Sequence, residues 1–217
     1  MYKAIIFDLD GLLIDSEPVW HRADDRLFAH YGIHPDVEFR SSLTGRGQRE
    51  CAKMVIGEFK LDETVEKFCE RRWDYLYQIL DESVFLMNGA REIVEGVSKK
   101  GYLVALATGG HEVEKAKELL NKTGIISYFD EIVSGLNVKN SKPEPDIYIT
   151  TAEVLGVQPE DCVVLEDAVN GVLAGKAARM KVIGVNIEAA ARPRLKESGA
   201  DEVFENLIDA WENSKLI

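Results

Sequence analysis

The chain has 217 residues, 46% of them hydrophobic and 29% charged, which excludes collagen-like, coiled-coil and disordered chains and leaves a globular protein with a substantial core. Its 38 acidic against 26 basic side chains give a formal net charge of −12, a balance that repels the nucleic-acid backbone, so nucleic acid is not an expected partner. Cys51, Cys69 and Cys162 are too few and too scattered for a disulfide framework or a C-x-x-C zinc site, and they read as small buried apolar residues. The first apolar run ends at Asp8, too short for a secretory signal, and no stretch reaches the length of a bilayer span; no membrane partner is expected, and the cytoplasm is the expected location.

In chain order, the first element is a strand over 4–7, Ala-Ile-Ile-Phe. The stretch 15–85 then shows only helical patterns, at 19–31, 48–59 and 65–80, with a mixture of aromatic and charged side chains suited to a small bundle. From near Met87 a regular alternation follows: helix 90–99, strand 102–107, helix 112–121, strand 131–133, helix 145–155, strand 162–165 and strand 182–185. The strand runs are continuously apolar rather than alternating, which marks strands buried on both faces of a parallel sheet. The expected fold is therefore α/β, a doubly wound parallel sheet over 1–14 and 86–217 with a helical insert at 15–85.

Ligands of such sheets bind beyond the carboxyl ends of the strands, and four of those ends are chemically loaded. They carry Asp8-Leu9-Asp10-Gly11, Thr108-Gly109-Gly110, Lys142-Pro143-Glu144-Pro145-Asp146 and Glu166-Asp167. Singly, each has an ordinary explanation: a turn-forming Asp, a Thr helix cap, a solvated Lys, an acidic pair at a helix entry. Together they crowd carboxylates, a hydroxyl and an ammonium along one edge. Two unit charges about 4 Å apart repel by roughly 4 kcal/mol at an effective dielectric of 20, so the carboxylates alone would exclude a phosphate. A hard divalent cation resolves the conflict, and oxygen ligands are what Mg²⁺ takes. The reading is a Mg²⁺ site at Asp8 and Asp167, with Lys142, Thr108 and the Gly109 amide on the phosphoryl oxygens. Asp8 is then the candidate nucleophile toward phosphorus, and Asp10, two residues on, the general acid and base.

The ordered set Asp8-x-Asp10-Gly11-x-x-x-Asp15-Ser16-Glu17, Thr108, Ser141-Lys142-Pro143-x-Pro145-Asp146 and Glu166-Asp167-x-x-x-Gly171 resembles the four motifs of the haloacid dehalogenase superfamily, over essentially the whole chain. Within it the chain looks like the β-phosphoglucomutase-like branch, and most like bacterial sugar-phosphate phosphatases of the 2-deoxyglucose-6-phosphatase and hexitol-phosphatase type. The resemblance implies a Rossmann-like core, a helical cap in place of the insert, and Mg²⁺ held by Asp8, Asp167 and the backbone carbonyl of Asp10. It further implies that Glu166 supports the site, and that the substrate is a small phosphorylated metabolite.

The chain departs from the mutase pattern in the cap. Where β-phosphoglucomutases typically carry a His five residues beyond the position of Asp15, this chain has Trp20, with His21 displaced by one; the Lys-Gly-x-Ser-Arg stretch is here Thr44-Gly45-Arg46-Gly47-Gln48. The expected function is thus a Mg²⁺-dependent hydrolase of phosphorylated sugars or polyols, with a phosphomutase as the alternative and an inactive metabolite-binding module as a third. Metal-free dehalogenation would leave Asp10 and the Glu166-Asp167 pair without a task. Trp20, His21, Arg46, Gln48 and Arg49 are the cap candidates for contact with the substrate, against the plainer reading of Trp20 as packing and the rest as exposed helix-start residues. A monomer is the expected state.

Overall fold

The computed structural model describes residues 2–43, 48–82 and 84–217. The chain divides into two compact units, Met1–Asp15 with Val84–Ile217, and Ser16–Ser83. Strand β1 (Ala4–Phe7) leads into the second unit, which holds α1 (Glu17–Tyr31), α2 (Val37–Leu43), α3 (Gln48–Phe59) and α4 (Val65–Glu82). The first unit resumes with α5 (Ala90–Lys99), β2 (Leu103–Thr108), α6 (Val113–Lys122), β3 (Glu131–Ser134), α7 (Asp146–Val154), β4 (Cys162–Glu166), α8 (Val169–Ala177), β5 (Lys181–Val185), α9 (Ala191–Glu197), β6 (Glu202–Phe204) and α10 (Leu207–Asn213).

Among the described residues, six strands form one parallel sheet in the order β3-β2-β1-β4-β5-β6. Its centre is β1, whose Ile5 is in register with Val104 on one side and Val163 on the other. All four residues of β1 are buried, as the unbroken apolar run requires. Because side chains alternate, Ala4 and Ile6 face one way, into a core with Ile147 of α7, Val172 of α8 and Leu195 of α9. Ile5 and Phe7 face the other way and are equally buried. Each such Ile, Leu or Phe contributes about 1.5–3 kcal/mol by leaving water. Two covered faces make the sheet doubly wound.

The strand order reverses direction between β1 and β4, the switch point where a crevice opens beyond the carboxyl ends. Asp8 follows β1, and Glu166 ends β4. Topology alone therefore puts the first and last motifs side by side.

After β1 the chain makes a tight loop in which Gly11 N–H donates to the Ile14 carbonyl. The two crossings toward the helical unit are laced together, Asp15 N–H to the Phe85 carbonyl and Met87 N–H to that of Leu13. That lacing keeps both Asp15 and Phe85 with the sheet unit, so the helical unit runs over Ser16–Ser83 against an expected 15–85. The helical unit has its own core of Leu27, Phe28, Ala52, Val55 and Phe68. Arg72 grips Asp24 through Nε at 2.6 Å and through a second nitrogen at 2.9 Å, a fork-to-carboxylate pair joining α4 to α1.

Five elements lie outside the sequence pattern: α2, α8, α9, β6 and α10. Strand β6 has three half-buried residues, α2 has no buried residue, and α9 has only Leu195 buried, so none of these three leaves a periodic apolar trace. One cysteine also differs from its reading: Cys51 and Cys162 are buried, but Cys69 is only half-buried, since its position on α4 falls at the margin of the helical core. No helix among the described residues is long and apolar enough to cross a membrane.

Candidate active site

The site is assembled from loops at the carboxyl edge of the sheet unit. Asp8 is fixed by its own N–H, which donates to the Leu165 carbonyl of β4 and so continues the ladder one residue past β1. Asp8, Glu166 and Asp167 each present a carboxylate oxygen, and these atoms lie within 4.8 Å of one another. Lys142, from the loop before α7, reaches between them, with Nζ donating to Asp8 Oδ1 and Glu166 Oε1 at 2.6 Å each and to the Ala107 carbonyl at 3.3 Å. Its side chain is only 12% exposed, so the solvated-charge reading of this Lys is set aside.

One ammonium does not neutralise three carboxyls, two of them buried and that of Asp167 half-buried. Burial, followed by the charge of Glu166, pushes the Asp8 carboxyl up to about 7, even though Lys142 pulls it down. Asp167 is raised well above the usual carboxylate range by burial and then by Glu166 and Asp8. Lys142 goes the opposite way: burial would lower its pKa, but the charges of Asp8 and Glu166 outweigh that and hold it firmly protonated. The cluster is short of positive charge, its donors are all oxygen, and it fits a hard divalent cation on both counts.

Glu166 is committed to scaffolding. Oε1 accepts from Lys142 and, at 2.9 Å, from the Tyr148 hydroxyl, while Oε2 accepts from Ala168 N–H at the entry to α8 at 3.1 Å. The helix-entry role is therefore real and coexists with the bridge to Lys142. Two glycines make room. A Cβ on Gly171 would stand 1.7 Å from Glu166 Oε1, and one on Gly11, whose φ is +76°, would stand 2.4 Å from Asp167 Oδ2. Asn186, just past β5, donates from Nδ2 to the Asp167 carbonyl at 3.0 Å.

Thr108 ends β2, is wholly buried, and its Oγ1 has no hydrogen-bond partner among the described residues. Such a hydroxyl costs free energy unless something accepts from it, and a phosphoryl oxygen is a suitable acceptor. Gly109 follows it, and a Cβ on Gly135 would come within 2.8 Å of the Gly109 carbonyl oxygen, so the loops after β2 and β3 touch backbone to backbone. Asp10 is 29% exposed, and its Oδ2 lies 2.9 Å from Nε2 of His111.

Sequence reasoning missed His111, Tyr148 and Asn186. His111 lies one residue beyond the Gly109-Gly110 pair that drew attention, and the same carboxyl-edge rule would have reached it. In the helical unit, Trp20 is half-buried on α1, edge-on to Trp73 with centroids 4.9 Å apart and with the Arg72 guanidinium 4.5 Å above its ring. His21 is exposed, Gln48 opens α3, and Arg49 pairs with Glu66 on the exposed face of the unit. Arg46 lies outside the described residues.

A six-stranded doubly wound sheet with acids on both sides of its switch point marks an α/β protein with a ligand crevice at its carboxyl edge, and comparison with known proteins makes the class specific. The model of the haloacid dehalogenase-like hydrolase family matches residues 5–185, and the chain belongs to that family. It is 34% identical over 199 residues to the phosphorylated carbohydrates phosphatase of Thermotoga maritima, covering 91% of this chain and 92% of that one. It is 38% identical over 205 residues to hexitol phosphatase B of Escherichia coli, with 88% and 87% covered. Among solved structures, β-phosphoglucomutase from Clostridium difficile superposes with a TM-score of 0.78 at 28% identity, over 95% and 92% of the two chains.

Proposed function

We propose that the protein is a Mg²⁺-dependent phosphomonoester hydrolase acting on small phosphorylated sugars or polyols through a phosphorylated Asp8. The observation that carries this reading is the cluster of Asp8, Glu166 and Asp167 within 4.8 Å, bridged among the described residues by the ammonium of Lys142. The names of the relatives, phosphatases of phosphorylated carbohydrates and of hexitol phosphates, support the substrate class.

A Mg²⁺ held by the carboxylates of Asp8 and Asp167 and the carbonyl of Asp10 would supply the positive charge that lets a phosphate approach these acids. Lys142, the Thr108 hydroxyl and the Gly109 N–H hold the non-bridging oxygens. An Asp8 carboxylate oxygen forms the new bond to phosphorus as the bond from phosphorus to the sugar oxygen breaks, and Asp10 gives its proton to that leaving oxygen. Asp10, now ionised, takes a proton from water as the water oxygen bonds to phosphorus. The Asp8–phosphorus bond breaks, inorganic phosphate leaves, and both carboxyls return to their starting states.

The test is phosphate release from a panel of sugar and polyol phosphates, with nucleotides and phosphoglycolate as controls and with EDTA against added Mg²⁺. Metal-dependent release favouring the sugar and polyol phosphates is expected. Transfer of labelled phosphate to a second hydroxyl instead of water would replace this reading with a phosphomutase.

A further inference from the structure

We infer that His111 is the positioning residue of Asp10, holding the acid/base carboxyl in its working orientation by the hydrogen bond between its imidazole Nε2 and Asp10 Oδ2. This rests on the hydrolase reading above and assigns a residue that none of the four motifs contains.

Asp10 needs a brace. It is three residues past β1, outside the ladder, and the residue after it, Gly11, has φ +76°, so regular strand geometry does not orient its side chain. An acid that must deliver a proton to one oxygen and then take one from water gains when its carboxyl is held in one orientation, because small misplacements cost large factors in rate. The imidazole is well placed to provide this. His111 is wholly buried, and its Nε2 lies 2.9 Å from Oδ2, a normal hydrogen bond running from N–H to the carboxylate when Asp10 is ionised.

The brace is itself anchored. The His111 carbonyl accepts from Ser134 Oγ at 2.6 Å, and Ser134 Oγ in turn accepts from Leu136 N–H at 3.1 Å. Ser134 is the last residue of β3 and lies in register with Thr108, the last residue of β2. The approach of Gly135 to the Gly109 carbonyl presses the two loops together at the same level. A chain of contacts therefore runs from the sheet register through Ser134 and the His111 backbone to the ring, and from the ring to Asp10. Burying an imidazole costs free energy that an apolar side chain filling the same space would not, which favours a role for the polar contact over packing alone.

Five proteins test this: wild type, Asp10→Asn, His111→Leu, His111→Gln and the double variant Asp10→Asn/His111→Leu, each assayed for Mg²⁺-dependent hydrolysis of p-nitrophenyl phosphate. Removing the brace should lower kcat about 10–100-fold with KM within about twofold, and Gln, which keeps an N–H donor, should recover part of the loss. In the Asp10→Asn background the Leu substitution should change kcat less than about twofold, since a residue acting through Asp10 has nothing left to act on. An equal loss in both backgrounds, a change confined to KM, or wild-type kinetics in His111→Leu overturns the inference while leaving the hydrolase reading intact. Should His111→Leu fail to fold, ¹⁵N-histidine spectra of wild type and Asp10→Ala decide: the His111 ring signals, among the four histidines, should move, and unmoved signals overturn the inference. A wild type without metal-dependent hydrolysis would overturn the function and not the contact, which the spectra read independently.

Discussion

The sheet unit contains two clusters of acids and lysines with opposite balances. At the carboxyl edge, Asp8, Glu166 and Asp167 share Lys142. At the other cluster, Asp201 alone receives Lys176 at 2.7 Å, Lys181 at 2.8 Å and Val182 N–H at 2.9 Å. Burial raises the Asp201 carboxyl, but the two lysines and the amide more than offset it and hold the group at about 2, whereas Asp8 rises to about 7. The same residue types thus build a latch in one place and an unsatisfied electrostatic demand in the other. Charge surplus, rather than the presence of acids, separates a candidate cation site from a structural pair.

The largest effect expected from this contrast lies in turnover. Asp8→Asn should reduce phosphate release to background, and Asp10→Asn should slow it about 10²–10⁴-fold, the usual worth of general acid–base catalysis; steady-state kinetics on p-nitrophenyl phosphate reads both. Equal activity in the two variants would refute the division of roles. Next comes Lys142→Met, which leaves buried carboxylates facing one another and should cost about 3–5 kcal/mol in urea denaturation. Lys176→Met, removing one of two lysines from a more exposed cluster, should cost under about 1 kcal/mol. Similar losses would erase the distinction.

A third expectation concerns pH. The folded Asp8 holds its proton up to about 7 against an ordinary 3.8, so between those values the folded chain binds a proton that the unfolded chain has released. In EDTA, this group makes stability fall as pH rises across that window and level off above it. Added Mg²⁺ should raise Tm more at pH 8 than at pH 5, and Asp8→Asn should flatten that difference; thermal melts across pH test it. The smallest effect belongs to the latch. Asp201 is depressed to about 2, so its stabilisation is complete above about 4 and lost as pH falls through 2. Asp201→Asn should therefore be destabilised at pH 6, with the gap to wild type closing as pH falls through 2, as followed by circular dichroism.

Much of the sheet was legible because strands buried on both faces leave unbroken apolar runs, as at Ala4–Phe7 and residues 162–165. The loaded strand ends were legible because topology dictates where a parallel sheet opens. What could not be read depends on distant pairing. His111 meets Asp10 across 101 positions, so the brace leaves no local trace; the place of Lys142 beside Asp8 follows from the carboxyl-edge rule, but the burial of its ammonium does not. Tyr148 sits in the apolar stripe of α7 and reads as core; that its hydroxyl reaches Glu166 follows only from the packing of α7 on the sheet. Strand β6 escaped because three half-buried residues at the sheet edge carry no period.

The absence of a side chain at position 171 has a reach that no motif table conveys. Glu166 can lie against the first turns of α8 only because nothing projects there, and from that seat it steadies the ammonium that faces Asp8. A single methyl group, chemically inert and outside every proton or phosphoryl transfer, would unseat the acid and loosen the lysine with it. An inventory of reactive groups would score such a variant as intact, so the capacity of this chain for chemistry has to be judged by the space it keeps empty as well as by the functional groups it displays.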